Sequence, residues 1–283
     1  MASTEYVAEQ RAATYAGFTL LNSLLGLILT YLLISHVNAS AEGRIIALMC
    51  AETMLLFFRY WGRMGQILNP SIDTHYRKQI IAFGFPSMIA LLGAWGLNES
   101  DKTIVANIFG LTTAGLYTAA ASLAAIMASL NQSLTNAVIP HIFAELHKGN
   151  RPLTVASRWF LRFLCINTIF GLITMVCYYL FNDSLLPIKY ANASNYFYAL
   201  TIASSGAAAY RPFGLIAEYL KMAQTRAFAI ITGGIVTIIV GFFGGLWLHT
   251  PLTAAAGIGA GYVTSALIIF SALWFNRNKI VVS

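Results

Sequence analysis

The feature that most limits how this chain can fold is a succession of eight apolar runs separated by short polar connections. They occupy residues 14–35, 43–62, 79–98, 113–140, 156–181, 196–219, 227–249 and 252–275. The hydrocarbon core of a bilayer takes about 20 residues of α-helix. Lipid offers no hydrogen-bond partner to a bare peptide group, so each run has to satisfy its own backbone. The expected fold class is therefore an all-α membrane protein with about eight transmembrane helices. Composition agrees, because a chain that is 58% hydrophobic and only 10% charged, with a mean hydropathy of +0.69, is too charge-poor for an ordinary soluble domain.

The formal charge of +7 does not point to nucleic acid, since no Lys/Arg cluster is interleaved with aromatic residues. The cations fall instead between the apolar runs. One set of alternate segments carries Arg11; Arg59, Arg63, Arg77 and Lys78; Lys148, Arg151, Arg158 and Arg162; Arg211, Lys221 and Arg226; and Arg277 with Lys279, while the other carries only Arg44, Lys102 and Lys189. Basic residues are retained on the cytoplasmic side of a membrane protein, so both termini are expected inside. The opening residues carry Glu5 and Glu9 and lack the basic start of a cleaved signal peptide, which makes the first run an expected span. Cys50, Cys165 and Cys177 show no C-x-x-C or Cys/His spacing and are expected to pack as small buried hydrophobes. The five histidines are scattered, so no metal or cofactor site is expected.

Residues 79–146 organise the rest. The first of their two apolar runs contains Gly84-Phe85-Pro86, where the proline removes a donor and is expected to break the helix beside an interior space; Pro212 does the same in the sixth run. A short polar turn carrying Asp101-Lys102 is expected next, followed by the glycine-rich entry from Gly110 through Gly115 to Tyr117. Ala119, Ala120, Ala121, Ala124, Ala125 and Ala128 then permit close helix approach. Gln132 and Asn136 fall on one helix face, suited either to interhelical hydrogen bonds or to a sugar-lined passage. The pairs Gly241/Gly245 and Gly257/Gly261 suit close crossing in the last two runs.

Ionisable groups inside spans are informative, because each costs about 2.5–3.5 kcal/mol at mid-membrane even on permissive scales. Glu52 lies near the middle of the second run and needs a partner, a cavity or a proton. Arg59 and Arg63 follow at helical spacing on the same face. Arg211 lies beside Pro212 in the sixth run. Either Arg211 snorkels to the interface while Glu218 pairs with Lys221, or Arg59, Arg211 and Lys102 line a wet cationic cavity that holds a phosphate group.

The ordered pattern FG-x-P, N-x-S-D-K and G-x-x-x-x-G-x-Y-x-x-A resembles the seventh and eighth transmembrane helices of Wzx-type polysaccharide flippases, of the multidrug/oligosaccharidyl-lipid/polysaccharide (MOP) exporter superfamily. The likeness continues to the C-terminus. It implies a six-helix C-terminal lobe over residues 79–283, a basic cytoplasmic linker over 63–78, and two helices of a partial N-terminal lobe over 1–62, with four helices absent. It further implies a bacterial inner-membrane transporter in O-antigen or lipopolysaccharide synthesis. Such a protein takes a polyprenyl-pyrophosphate-linked oligosaccharide across the bilayer by alternating access, coupled to a proton or sodium ion. Arg59, Arg211 and Lys102 would then hold the pyrophosphate and Glu52 the coupling ion. A further chain would supply the missing helices. Rival classes are a sugar polymerase or ligase, a drug/cation antiporter of the same superfamily, and a non-transporting membrane scaffold. The outer connections are short and carry no metal-ligand cluster, phosphate loop or Ser/His/Asp set, so catalysis is not expected.

Overall fold

The computed structural model describes residues 21, 24–26, 28–29, 31–32, 46, 49–54, 57, 74–185 and 193–275. The chain divides into two compact units, Met1–Thr74 and His75–Ser283. In the first unit every described residue is helical, and Glu52 stands on its exposed surface. Arg59, most of the linker and the last eight residues lie outside the described residues.

The second unit consists of helices α1 (Thr74–Asn98), α2 (Ser100–His147), α3 (Pro152–Leu185), α4 (Ser194–Tyr219), α5 (Ala223–Leu248) and α6 (Leu252–Phe275). No strand occurs among the described residues. Four of these helices are long and apolar enough to cross a membrane: α2, residues 152–181 of α3, α5 and α6. Their outward faces are apolar, as with Leu161, Ile169, Leu172 and Val176 on α3 and Ile235, Ile239, Phe243 and Trp247 on α5. A surface of this kind is stable only against lipid or protein.

Helix α4 differs for a packing reason. It touches α2, α3, α5 and α6 and buries residues along its whole length, from Phe197 and Leu200 to Ile216 and Ala217. A helix shielded by its neighbours does not need an apolar coat, so Ser204, Ser205, Gly206 and Arg211 are tolerated in its middle. Helices α5 and α6 meet through glycine. A methyl group on Gly261 would collide with the Thr237 hydroxyl and the Gly233 carbonyl, and one on Gly257 would lie 2.6 Å from the Thr237 carbonyl. Small residues thus bring two backbones together where no hydrophobic effect drives association. The Ser265 hydroxyl ties the pair at 2.9 Å from the Ala229 carbonyl.

Several sequence expectations change. The polar turn at Asp101-Lys102 does not reverse the chain: the Glu99 amide still donates to the Trp95 carbonyl at 2.8 Å. Positions along the path also advance steadily along α5, Gly93 facing Ile231, Gly96 facing Gly234, Ile104 meeting Gly241 and Ile108 meeting Gly245. The reversal occurs at Gly110, whose φ of 83° and ψ of 167° belong to a region open essentially to glycine alone. The first pass of this unit through the bundle therefore extends over residues 74–109, and the chain returns over 111–147, so that α2 straddles the reversal. Nor do the prolines break their helices, since α1 runs continuously through Gly84 and Pro86 and α4 through Pro212. The three cysteines are exposed rather than packed in the core.

Two apolar clusters form the interior. One, around Ile142, Phe163, Phe213, Ile216, Ile230 and Ile269, lies toward the end bearing His147, Arg158 and Arg226. The other, around Val105, Tyr117, Tyr178, Phe197 and Ala254, lies toward the end where Gly110 turns. Between them the bundle has a polar waist.

Candidate functional site

The waist contains a cavity of about 230 Å³ bounded by α1, α2, α4 and α6. Ala121, Ala124, Ala125 and Ala128 of α2 make the room, since no larger side chain fills the space opposite Ser204 and Ala207 of α4. The polar lining comes from Asn98, Glu99, Asp101, Lys102, Asn131, Arg211 and Tyr262. Continuation of the first crossing through Glu99 carries the Asn98-to-Lys102 segment into the bundle, where an outer turn would have left it at the surface. The four charges are in register because the chain returns at Gly110 and α2 brings its alanine stripe back past them.

These charges are not equivalent. Lys102 donates to Glu99 Oε2 at 2.6 Å, a pair one helical turn apart. Arg211 is half-buried and makes no ion pair with any described carboxylate. It shares the cavity lining with Tyr262. Tyr262 in turn donates to Asn98 Oδ1 at 2.6 Å, linking α6 to α1 across the mouth of the cavity. Asp101 is buried, 2% exposed, and its carboxylate faces the buried Tyr117 hydroxyl, each the other's nearest polar partner.

Of the residues expected from sequence to form a cationic cavity, the structure brings Arg211 and Lys102 together, while Arg59 lies outside the described residues. Glu218 pairs with Arg226 at 2.8 Å and not with Lys221, because the turn at Leu220 carries the next helix back beside it. These two and Lys221 border a separate cavity of about 250 Å³ beside Ala90 and Ala94. Asp101 and Asn131 are members of the polar cavity that sequence reasoning passed over. Asp101 was hidden by being taken as part of a turn, and Asn131 by its place beside Gln132, since the spacing was read only for Gln132 and Asn136. The signal that would have found Asp101 is the absence of any Gly or Pro between residues 97 and 109, which favours a continuous helix there.

A polar stripe adjoins the cavity. Ser122, Ser129, Gln132 and Asn136 stand exposed on α2, with Gln132 Nε2 donating to Asn136 Oδ1 at 3.0 Å. The interhelical bonds expected of these two residues are replaced by this bond within one helix.

The fold and its waist define a class: a polytopic helical membrane protein with a polar cavity inside its second unit. Residues 9–195 match the family model for polysaccharide biosynthesis proteins (Polysacc_synt_3), and the chain belongs to that family. Two relatives come from Haemophilus influenzae (strain ATCC 51907 / DSM 11121 / KW20 / Rd). A protein of the Lsg locus is 23% identical over 53% of this chain and 39% of its own length. An uncharacterized membrane protein is 24% identical over 59% of this chain and 43% of its own. The match thus spans about two fifths of the length of each of these relatives. In fold, the chain is similar to a crystallised MATE mutant (TM-score 0.66, 14% identity, 97% of this chain and 64% of that one). It is also similar to a MATE in complex with MaL6 (TM-score 0.65, 14% identity, 94% and 63%).

Proposed function

We propose that this chain is the core of a flippase that moves a polyprenyl-pyrophosphate-linked oligosaccharide from the cytoplasmic to the outer leaflet of a bacterial inner membrane, by alternating access, during O-antigen or related polysaccharide synthesis. The observation that carries the reading is Arg211: a cation within the bundle, on its most enclosed helix, open to a cavity and without a described carboxylate to neutralise it. A lone charge at such depth is costly and is kept where it meets a ligand. Guanidinium matches the fork of two phosphate oxygens, so a diphosphate is the fitting anion. Lys102 supplies a second, weaker positive charge. The exposed polar stripe of α2 extends the wet surface beyond the cavity, as a passage for a hydrophilic headgroup requires.

In this reading the basic end of the bundle faces the cytoplasm, and residues outside this chain complete the enclosure. Ion coupling needs a carboxylate in the membrane interior. Glu52 is one candidate; Asp101, beside Glu99, Lys102 and Tyr117, is the other. The test is flipping of a fluorescent polyprenyl-pyrophosphate-linked sugar in proteoliposomes. Arg211→Gln is expected to cut the rate at least about 10-fold, as removal of a charge-assisted bidentate contact does. An unchanged rate would remove the anion role. Measured across pH, Glu52→Gln and Asp101→Asn identify the coupling residue as the one whose loss flattens the profile; two unaltered profiles would place coupling elsewhere.

A further inference from the structure

We infer that the α2 wall of the cavity at Asn131 is a hydroxyl-reading subsite for a sugar ring, with Asn131 as its specificity-determining residue. This rests on the reading of the cavity as an anion site and adds a second recognition element to it. Asn131 lines the cavity, is 1% exposed, and neither its amide nitrogen nor its carbonyl oxygen has a hydrogen-bond partner among the described residues. Native interiors rarely leave one such atom unpaired, let alone both ends of one side chain. The neighbouring polar residues of α2 are satisfied within the helix: Thr135 donates to the Asn131 backbone carbonyl at 2.6 Å, Ser129 to the Ala125 carbonyl at 3.3 Å, and Gln132 to Asn136. Asn131 alone of this group faces inward with its side-chain amide uncommitted.

The chemistry of the set selects the ligand. The amide of Asn131 offers one donor and one acceptor and no charge, and so suits neither an anion nor a cation. A cation would be opposed by the amide N–H of Asn131 and by Arg211 and Lys102, and no cluster of three His, Cys, Asp or Glu exists among the described residues. A hydroxyl both donates and accepts, and vicinal hydroxyls of a sugar can use both ends of the amide together. The cavity, about 230 Å³, is of a size to take one sugar ring beside the anion. The subsite therefore reads the sugar directly attached to the phosphate.

The test uses the full purified chain in detergent, with inorganic phosphate, three hexose 1-phosphates (glucose, galactose and N-acetylglucosamine) and neutral methyl glucoside as probes. The wild type is expected to bind at least one hexose phosphate about 10-fold more tightly than inorganic phosphate, the value of one or two hydrogen bonds made in a buried site. Asn131→Leu is expected to abolish that preference and leave phosphate affinity within about 2-fold. Arg211→Gln weakens both ligands and preserves their ratio. Without ligand, Asn131→Leu should melt no lower than wild type, since it removes unpaired polar atoms at nearly constant volume; Asn131→Ala, measured beside it, covers a failure of leucine to fit. A hexose preference that is absent, or that survives both Asn131 variants, overturns the inference while the anion site stands, as does a large fall in melting temperature on removing the amide. If phosphate fails to bind but methyl glucoside binds in an Asn131-dependent way, the hydroxyl subsite stands and the anion reading falls.

Discussion

Arg211 and Lys102 share a cavity and a charge, yet their electrostatic positions differ. Lys102 is held by Glu99 at 2.6 Å with both side chains partly in solvent, so its field is largely cancelled before an anion arrives. Arg211 has no such partner. Pyrophosphate affinity should therefore fall at least about 10-fold in Arg211→Gln and only about 2- to 3-fold in Lys102→Gln, as suits a partly exposed pair. Removing the carboxylate has the opposite sign: Glu99→Gln frees Lys102 and should tighten binding by a similar small factor. The double variant Glu99→Gln/Lys102→Gln should then lie near wild type, a compensation that isothermal titration can read directly. Equal losses in Arg211→Gln and Lys102→Gln would mean that the Glu99 pair does not neutralise Lys102.

At the scale of elements, the fold depends on glycines whose roles separate by geometry. Gly110 reverses the chain in a conformation that a Cβ opposes, so Gly110→Ala should cost about 1–3 kcal/mol. Gly261 lies against Thr237 and the Gly233 backbone, and Gly261→Ala must part α5 from α6, at about 1–3 kcal/mol or more for overpacking. Gly115 has nothing within 4 Å of a would-be Cβ and sits in a helix, where alanine is favoured by up to about 1 kcal/mol. Thermal melting in detergent should order the three as Gly115→Ala at or above wild type, with Gly110→Ala and Gly261→Ala clearly below. Apolar run length made the helices legible from sequence, and the GxxxG spacing announced the α5–α6 contact. The turn was misplaced because a cluster of charges within an apolar stretch looks like a solvent-exposed connection. Charges cause a turn only when they must reach water, and here they reach a cavity. Proline misled in the same way: Pro86 and Pro212 each remove one backbone donor, but the helix continues through both. What sequence could not supply was direction, because Asn131 and Gln132 are adjacent in the chain and only the packing of α2 against α4 decides which faces inward.

For the whole molecule, the decisive question is which surfaces meet lipid and which meet water. Helix α3 presents Ile169, 60% exposed, and Val176, 56% exposed, on an apolar outward face, as a lipid-bathed helix should. On α2 the exposed positions near mid-helix include Ser129 and Asn136, and polar groups there are poor partners for lipid tails. If that face borders a water-filled passage, the two surfaces will differ sharply toward a charged, membrane-impermeant thiol reagent, because only a hydrated cysteine forms the reactive thiolate. The native Cys50, Cys165 and Cys177 are exposed and have to be replaced first. In that background, Ser129→Cys and Asn136→Cys should be labelled in intact membranes at least about 10-fold faster than Ile169→Cys and Val176→Cys, the order of difference expected between hydrated and lipid-buried thiols. Pyrophosphate should slow labelling at Ser129→Cys, the position beside Ala128 and Ala125 of the cavity, and leave Val176→Cys unchanged. Equally slow reaction at all four sites would mean that the polar stripe of α2 is sealed against protein or lipid, and the passage would have to run along a different face of the bundle.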